Sequence, residues 1–90
     1  MIELSEVDVL HRATANVQAV MSEILGGHPE EYPESLHLVR DLAMDSLELL
    51  DLAMVLEERY GIVLESDDIF KLNTIGDVAV LIVSNYGKRD

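Results

Sequence analysis

The segment Asp45-Ser46-Leu47-Glu48 is a helix start that fixes where the chain must change direction. Asp45 offers a side-chain oxygen to the unpaired N–H groups of the next turn, and Glu48, three residues on, is placed to return the bond. Apolar residues then recur at helical spacing as far as Tyr60, and Gly61 stops the run. The pattern predicts a helix over 46–60 with Ser46 as its first residue. The serine hydroxyl is then exposed beside the positive end of the helix dipole, a setting that favours a phosphate ester.

Other stretches carry the same period. Leu10, Ala13, Val17, Val20, Met21 and Ile24 fall within one arc, with Arg12, Gln18, Ser22 and Glu23 facing away. Ser5 with Asp8 is a possible cap and Gly26-Gly27 a stop, so a first helix is predicted over about 6–25. From Gly26 to Met44, a stretch containing both prolines, no period is sustained, which predicts a long ordered loop. Tyr32, Leu36, Leu38, Val39 and Leu42 are its candidate anchors. After Gly61 and the apolar link Ile62-Val63-Leu64, Ser66-Asp67-Asp68 reads as the cap and first turn of a short helix through Lys71. Thr74 and Asp77 cap a last helix carrying Ile75, Val78, Ala79 and Ile82 on one face. The β-branched run 78–83 also suits a buried strand, but no second strand is predicted to pair with it. The expected fold is all-α, a bundle of three main helices plus one short helix, forming one domain over 1–90 with 1–5 and 87–90 frayed.

With no cysteine, neither disulfides nor thiolate metal sites are available, and burial of the 49% apolar residues must supply the stability. A net charge of −12 argues against nucleic acid or an anionic membrane and points to basic protein partners. No segment is apolar enough to span a bilayer, and Met1-Ile2-Glu3 lacks a basic leader, so a cytoplasmic protein is expected, with a monomer as the default for a soluble shuttle. His11, His28 and His37 have neither metal-ligand nor nucleophile-elbow spacing, and the acidic pairs lack the alternation of a calcium loop. No catalytic residue and no intrinsic metal are assigned.

Within the second helix, Leu49, Leu52, Ala53, Leu56 and Tyr60 share one face, where each buried leucine stabilises by about 1.5–3 kcal/mol. Leu47, Asp51, Met54 and Glu58 fall together on the other, mixing apolar groups with carboxylates. Such a face suits a transient interface, charge steering a basic partner in and the apolar pair supplying contact.

Asp45-Ser46-Leu47, followed by a helix ending Leu56-Glu57-Glu58-Arg59-Tyr60 and then an acidic segment, resembles the modification site and second helix of acyl carrier proteins, over about 17–82. The resemblance implies that Ser46, flanked by Asp45 and Leu47, carries 4'-phosphopantetheine installed by a phosphopantetheinyl transferase. It implies a non-catalytic carrier whose acyl thioesters pass between enzymes of fatty-acid, lipid or polyketide synthesis with basic docking patches. Leu47, Glu48, Asp51, Met54, Glu57 and Glu58 would contact those partners. Val55, Leu64, Ile69, Phe70, Leu72 and Ile75 either line a cleft for the acyl chain or serve as ordinary core.

Three positions depart from the family pattern. Ala43 stands where fatty-acid carriers usually have glycine, implying a different loop, and the bulk of Ile69 and Phe70 implies a narrowed cleft. A specialised role, an aminoacyl or peptidyl carrier, and an unmodified helical adaptor for basic partners stay open as alternatives.

Overall fold

The computed structural model describes residues 6–86. Four helices follow in order: α1 (Glu6–Leu25), α2 (Ser46–Tyr60), α3 (Ser66–Phe70) and α4 (Ile75–Tyr86), with a single 3-10 turn at Pro29–Glu31 between the first two. No strand occurs among the described residues. The expected Ser5 cap and the frayed ends 1–5 and 87–90 lie outside them.

α1 lies along α4, and α2 packs against both α1 and α3. Val17, Val20 and Met21 of α1 meet Leu52 and Leu56 of α2, Ile69 of α3 and Ile75, Val78 and Ile82 of α4 in one core, all at most 2% exposed. The run 78–83 is helical because Thr74 and Asp77 cap it reciprocally. Asp77 N–H donates to Thr74 Oγ1 at 3.2 Å, and Thr74 N–H donates to Asp77 Oδ2 at 3.0 Å. Burial of Val78, Ala79 and Ile82 on one face outweighs the β-preference of their side chains.

Side chains and backbone both hold the connection from α1 to α2. Tyr32 is buried and its hydroxyl donates to Gly26 O at 2.6 Å, while Gln18 Nε2 reaches from α1 to Tyr32 O at 3.0 Å. Farther along, residues 34–38 lie beside 73–76. Leu38 N–H donates to Asn73 O at 2.7 Å, Ile75 N–H to Leu36 O at 3.0 Å and Gly76 N–H to Glu34 O at 2.9 Å. The loop is therefore stitched to the start of α4. Leu38 is fully buried and Leu36 and Leu42 pack on the core, as expected of anchors. Val39 does not: it stands 49% exposed, while Met44 farther along the loop is buried at 2%.

α3 also differs in detail from expectation. Its N-cap is Glu65, whose side chain makes no capping bond, and Ser66 is already helical. Phe70 is its last residue, with Lys71 as C-cap. Across the other flank of α2, Arg59 grips Glu23 of α1 through two bonds of 2.7 and 2.8 Å. The guanidinium holds the Glu23 carboxyl below its ordinary value by hydrogen bonding and charge, and Glu23 raises Arg59 in return.

Candidate functional site

The start of α2 is built from both sides. On the helix side, Asp45 sits in an extended conformation and its Oδ1 accepts Glu48 N–H at 2.9 Å, while Glu48 Oε1 accepts Asp45 N–H at 3.1 Å. Leu49 N–H closes the first helical bond on Asp45 O at 3.0 Å. Ser46 is exposed as the first helical residue, where a bulky substituent on Oγ has room to leave the surface.

On the loop side, a short turn delivers the chain to Asp45. Asp41 Oδ2 accepts His37 N–H at 2.8 Å and His37 Nδ1 accepts Arg40 N–H at 3.0 Å, a reciprocal arrangement like a helix cap. Ala43 N–H bonds Val39 O at 2.9 Å and Met44 N–H bonds Leu38 O at 3.1 Å, one bond nested inside the other. Closing this turn places Ala43 in the left-handed region at φ 56°. Met44 then plugs into the core and fixes the approach to Asp45. Met44 is not legible as an anchor, because a lone apolar residue at the end of an aperiodic stretch has no pattern to declare its direction. The signal at Ala43 was present, in the departure from glycine.

Along α2 the two faces separate as their spacing requires. Leu47 is 72% and Met54 62% exposed, and Asp51 and Glu58 are exposed with them. Glu48 and Glu57 are half-buried instead. Glu48 is occupied in the cap, and Glu57 Oε2 accepts Leu64 N–H at 2.8 Å in the link to α3.

Of the six residues expected around an acyl cleft, four share one core, Val55 packs half-buried against it and Phe70 stays outside. Leu64, Ile69, Leu72 and Ile75 are buried in the core. Phe70 points outward at 50% exposure, since neighbours in a helix stand about 100° apart and Ile69 takes the inward direction. Val55 lines a shallow surface depression of about 280 Å³ with Glu58 and Arg59, on the flank of α2 that meets α1. No trio of His, Asp or Glu among the described residues is arranged to hold a metal ion, and no helix there is long and apolar enough to cross a membrane.

Comparison with known proteins bears directly on this site. The family described as "Phosphopantetheine attachment site" matches residues 15–82. An acyl carrier protein of Thermotoga maritima is 34% identical over 73 residues, covering 81% of this chain and 90% of that protein. One from Wolinella succinogenes is 37% identical over 70 residues, 78% of this chain and 92% of the relative. A third, from Chlamydia muridarum, is 40% identical over 63 residues, 70% and 82% of the two chains. The fold matches the crystal structure of an acyl carrier protein from Thermotoga maritima with a TM-score of 0.79 at 21% identity, covering 96% of this chain and 100% of that one. With the matched region spanning the capped serine, all of α2 and α3 and parts of α1 and α4, the chain belongs to the acyl carrier protein family of phosphopantetheine-attachment domains.

Proposed function

We propose that Ser46 is the attachment point of 4'-phosphopantetheine and that this chain works as a non-catalytic carrier of acyl thioesters, in the cytoplasm and as a monomer. The observation that carries the assignment is the exposed Ser46 at the first position of a helix whose start is closed by Asp45 and Glu48. The residues present fit the group. Ser46 supplies an accessible oxygen for a phosphodiester, and the N-terminal dipole of α2 favours the negative charge there. When bound, the arm supplies a thiol that holds acyl groups as thioesters. Everything else is done by the chain's own residues: the cap fixes the serine in place, buried Met44 keeps the preceding loop from swinging, and the exposed face of α2 meets partner enzymes.

Leu47, Asp51, Met54 and Glu58 form that docking face in this reading, with a phosphopantetheinyl transferase and acyl-handling enzymes as the basic partners. Glu48 and Glu57 are engaged by backbone N–H groups and contribute to it mainly as background charge. The layer of Leu64, Ile69, Leu72 and Ile75 is the proposed shelter for an acyl chain. Each methylene buried there is worth about 0.8 kcal/mol.

Intact-mass measurement after co-expression with a broad-specificity transferase tests the assignment. One phosphopantetheine is expected on the wild-type chain and none on Ser46→Ala. An unshifted wild-type mass beside a modified control carrier would refute it.

A further inference from the structure

By sequence Glu57 belongs with the carboxylates of α2, yet the fold engages it elsewhere. Its backbone carbonyl accepts Gly61 N–H at 2.9 Å and its carboxylate Oε2 accepts Leu64 N–H at 2.8 Å. One residue thus holds both the departure of the link from α2 and its arrival near α3. Between these points Ile62 turns into the core, Val63 stands out and Leu64 turns in again.

What lies beyond the link is slenderly attached. α3 has five residues, its N-cap Glu65 makes no side-chain bond, and among the described helices it packs on α2. Its inward side chain is Ile69, joined by Leu64 before it and Leu72 after it. A short helix with so few fixed points is held by its ends as much as by its packing.

We infer that Glu57 is a positioning residue, the clasp that holds the link over 61–65, and α3 with it, closed over the apolar layer of Leu64, Ile69 and Leu72. For its meaning in cargo handling the inference rests on the proposed acyl function. Those three side chains are at most 9% exposed, so a hydrocarbon chain reaches them only when α3 and its link part from α2. Parting withdraws the Leu64 N–H from the carboxylate. A hydrogen bond to an ionised acceptor is stronger than a neutral one, so this contact adds to the burial of the three side chains in setting the cost of opening. The chain therefore carries a gate whose stiffness is adjusted from α2.

Amide hydrogen exchange on the unmodified chain tests the clasp without any cargo. In Glu57→Ala, Leu64 N–H is expected to exchange about tenfold to a hundredfold faster, with the Leu52 and Leu56 amides of α2 changed far less. Glu57→Gln keeps an acceptor oxygen without the charge and is expected to fall between. Equal Leu64 exchange in all three proteins overturns the clasp. The cargo arm uses the octanoyl-loaded chain and relaxation dispersion at the Ile69 and Leu72 methyls, where insertion and release of the chain are expected to speed up in Glu57→Ala. Faster Leu64 exchange with unaltered methyl exchange overturns the gate. Failure of Ser46 to accept the arm is a separate result, read by mass: it removes the carrier reading and leaves the exchange test of the clasp intact.

Discussion

Replacing Ala43 by glycine is expected to stabilise the protein, against the usual cost of introducing glycine. Ala43 is held at φ 56° by the nested bonds to Val39 O and Leu38 O, and its methyl group is exposed, so no packing is lost on removing it. An L-residue with a Cβ in the left-handed region costs about 1–2 kcal/mol, most of which glycine relieves. Against this, the unfolded chain gains freedom worth about 0.4–1 kcal/mol. The balance is a gain of roughly 0.5–1 kcal/mol, equivalent to about 2–8 °C in Tm for a domain of this size. Urea and thermal unfolding of the unmodified chain measure it, and the denaturant slope should be unchanged because the same surface is exposed. Ala43→Val supplies the opposing arm, since a β-branched residue resists positive φ more strongly than alanine and should lower Tm. A destabilised Ala43→Gly protein, or equal stability of the glycine and valine variants, would refute the assignment of strain to this residue.

Other expectations follow from the same contacts. Glu23 is an acid whose folded value is lowered below 4.5, so its contribution is present above the unfolded value and is lost as pH falls through the folded one. The Tm difference between wild type and Glu23→Gln should therefore shrink below about pH 4.5 and also at high salt, as thermal melts across pH and ionic strength would show. Leu52→Ala removes a fully buried side chain from the centre of α2 and should cost about 2–5 kcal/mol in urea unfolding. Charge reversal at Asp51 and Glu58 should slow modification by the transferase at low salt and converge on wild type at high salt, with helicity by circular dichroism unchanged.

The bounds of α1 and α2 were legible because both ends of the signal lie in neighbouring residues: Gly26 and Gly61 stop the helices, and Asp45 with Glu48 starts the second. Thr74 with Asp77 made α4 legible against its β-branched composition in the same way. The joining of residues 34–38 to 73–76 was not, since backbone bonds between distant segments leave no mark on side-chain choice. Direction within the loop is equally hidden, so residue type alone does not separate exposed Val39 from buried Met44. At the cleft, residue type suggested that Val55 and Phe70 belonged with Leu64 and Ile69. Helical geometry turns Phe70 outward and leaves Val55 half-buried at the edge of that core. The carboxylates of α2 failed in a subtler manner, because nothing in the letters separates Glu57, tied to Leu64 N–H, from exposed Glu58 next to it.

That separation bears on how tightly the proposed docking face can hold a partner. If Glu48 and Glu57 are committed to the backbone, the charges free to meet a basic patch beside Leu47 and Met54 are Asp51 and Glu58. Burying two apolar side chains gains about 3–6 kcal/mol, and two rim ion pairs add no more than about 2 kcal/mol. From this total must be subtracted the entropy of association and the ordering of side chains at the contact. A gross gain of about 8 kcal/mol corresponds to micromolar affinity before those costs, so this face by itself holds a partner weakly and releases it quickly. Weak docking is what the proposed carrier role requires, since in that reading the same surface serves the enzyme that loads Ser46 and every enzyme that uses the cargo afterwards. Charge then acts chiefly on the rate of encounter, and the lifetime of each complex is governed by how well a partner's apolar surface fits Leu47 and Met54.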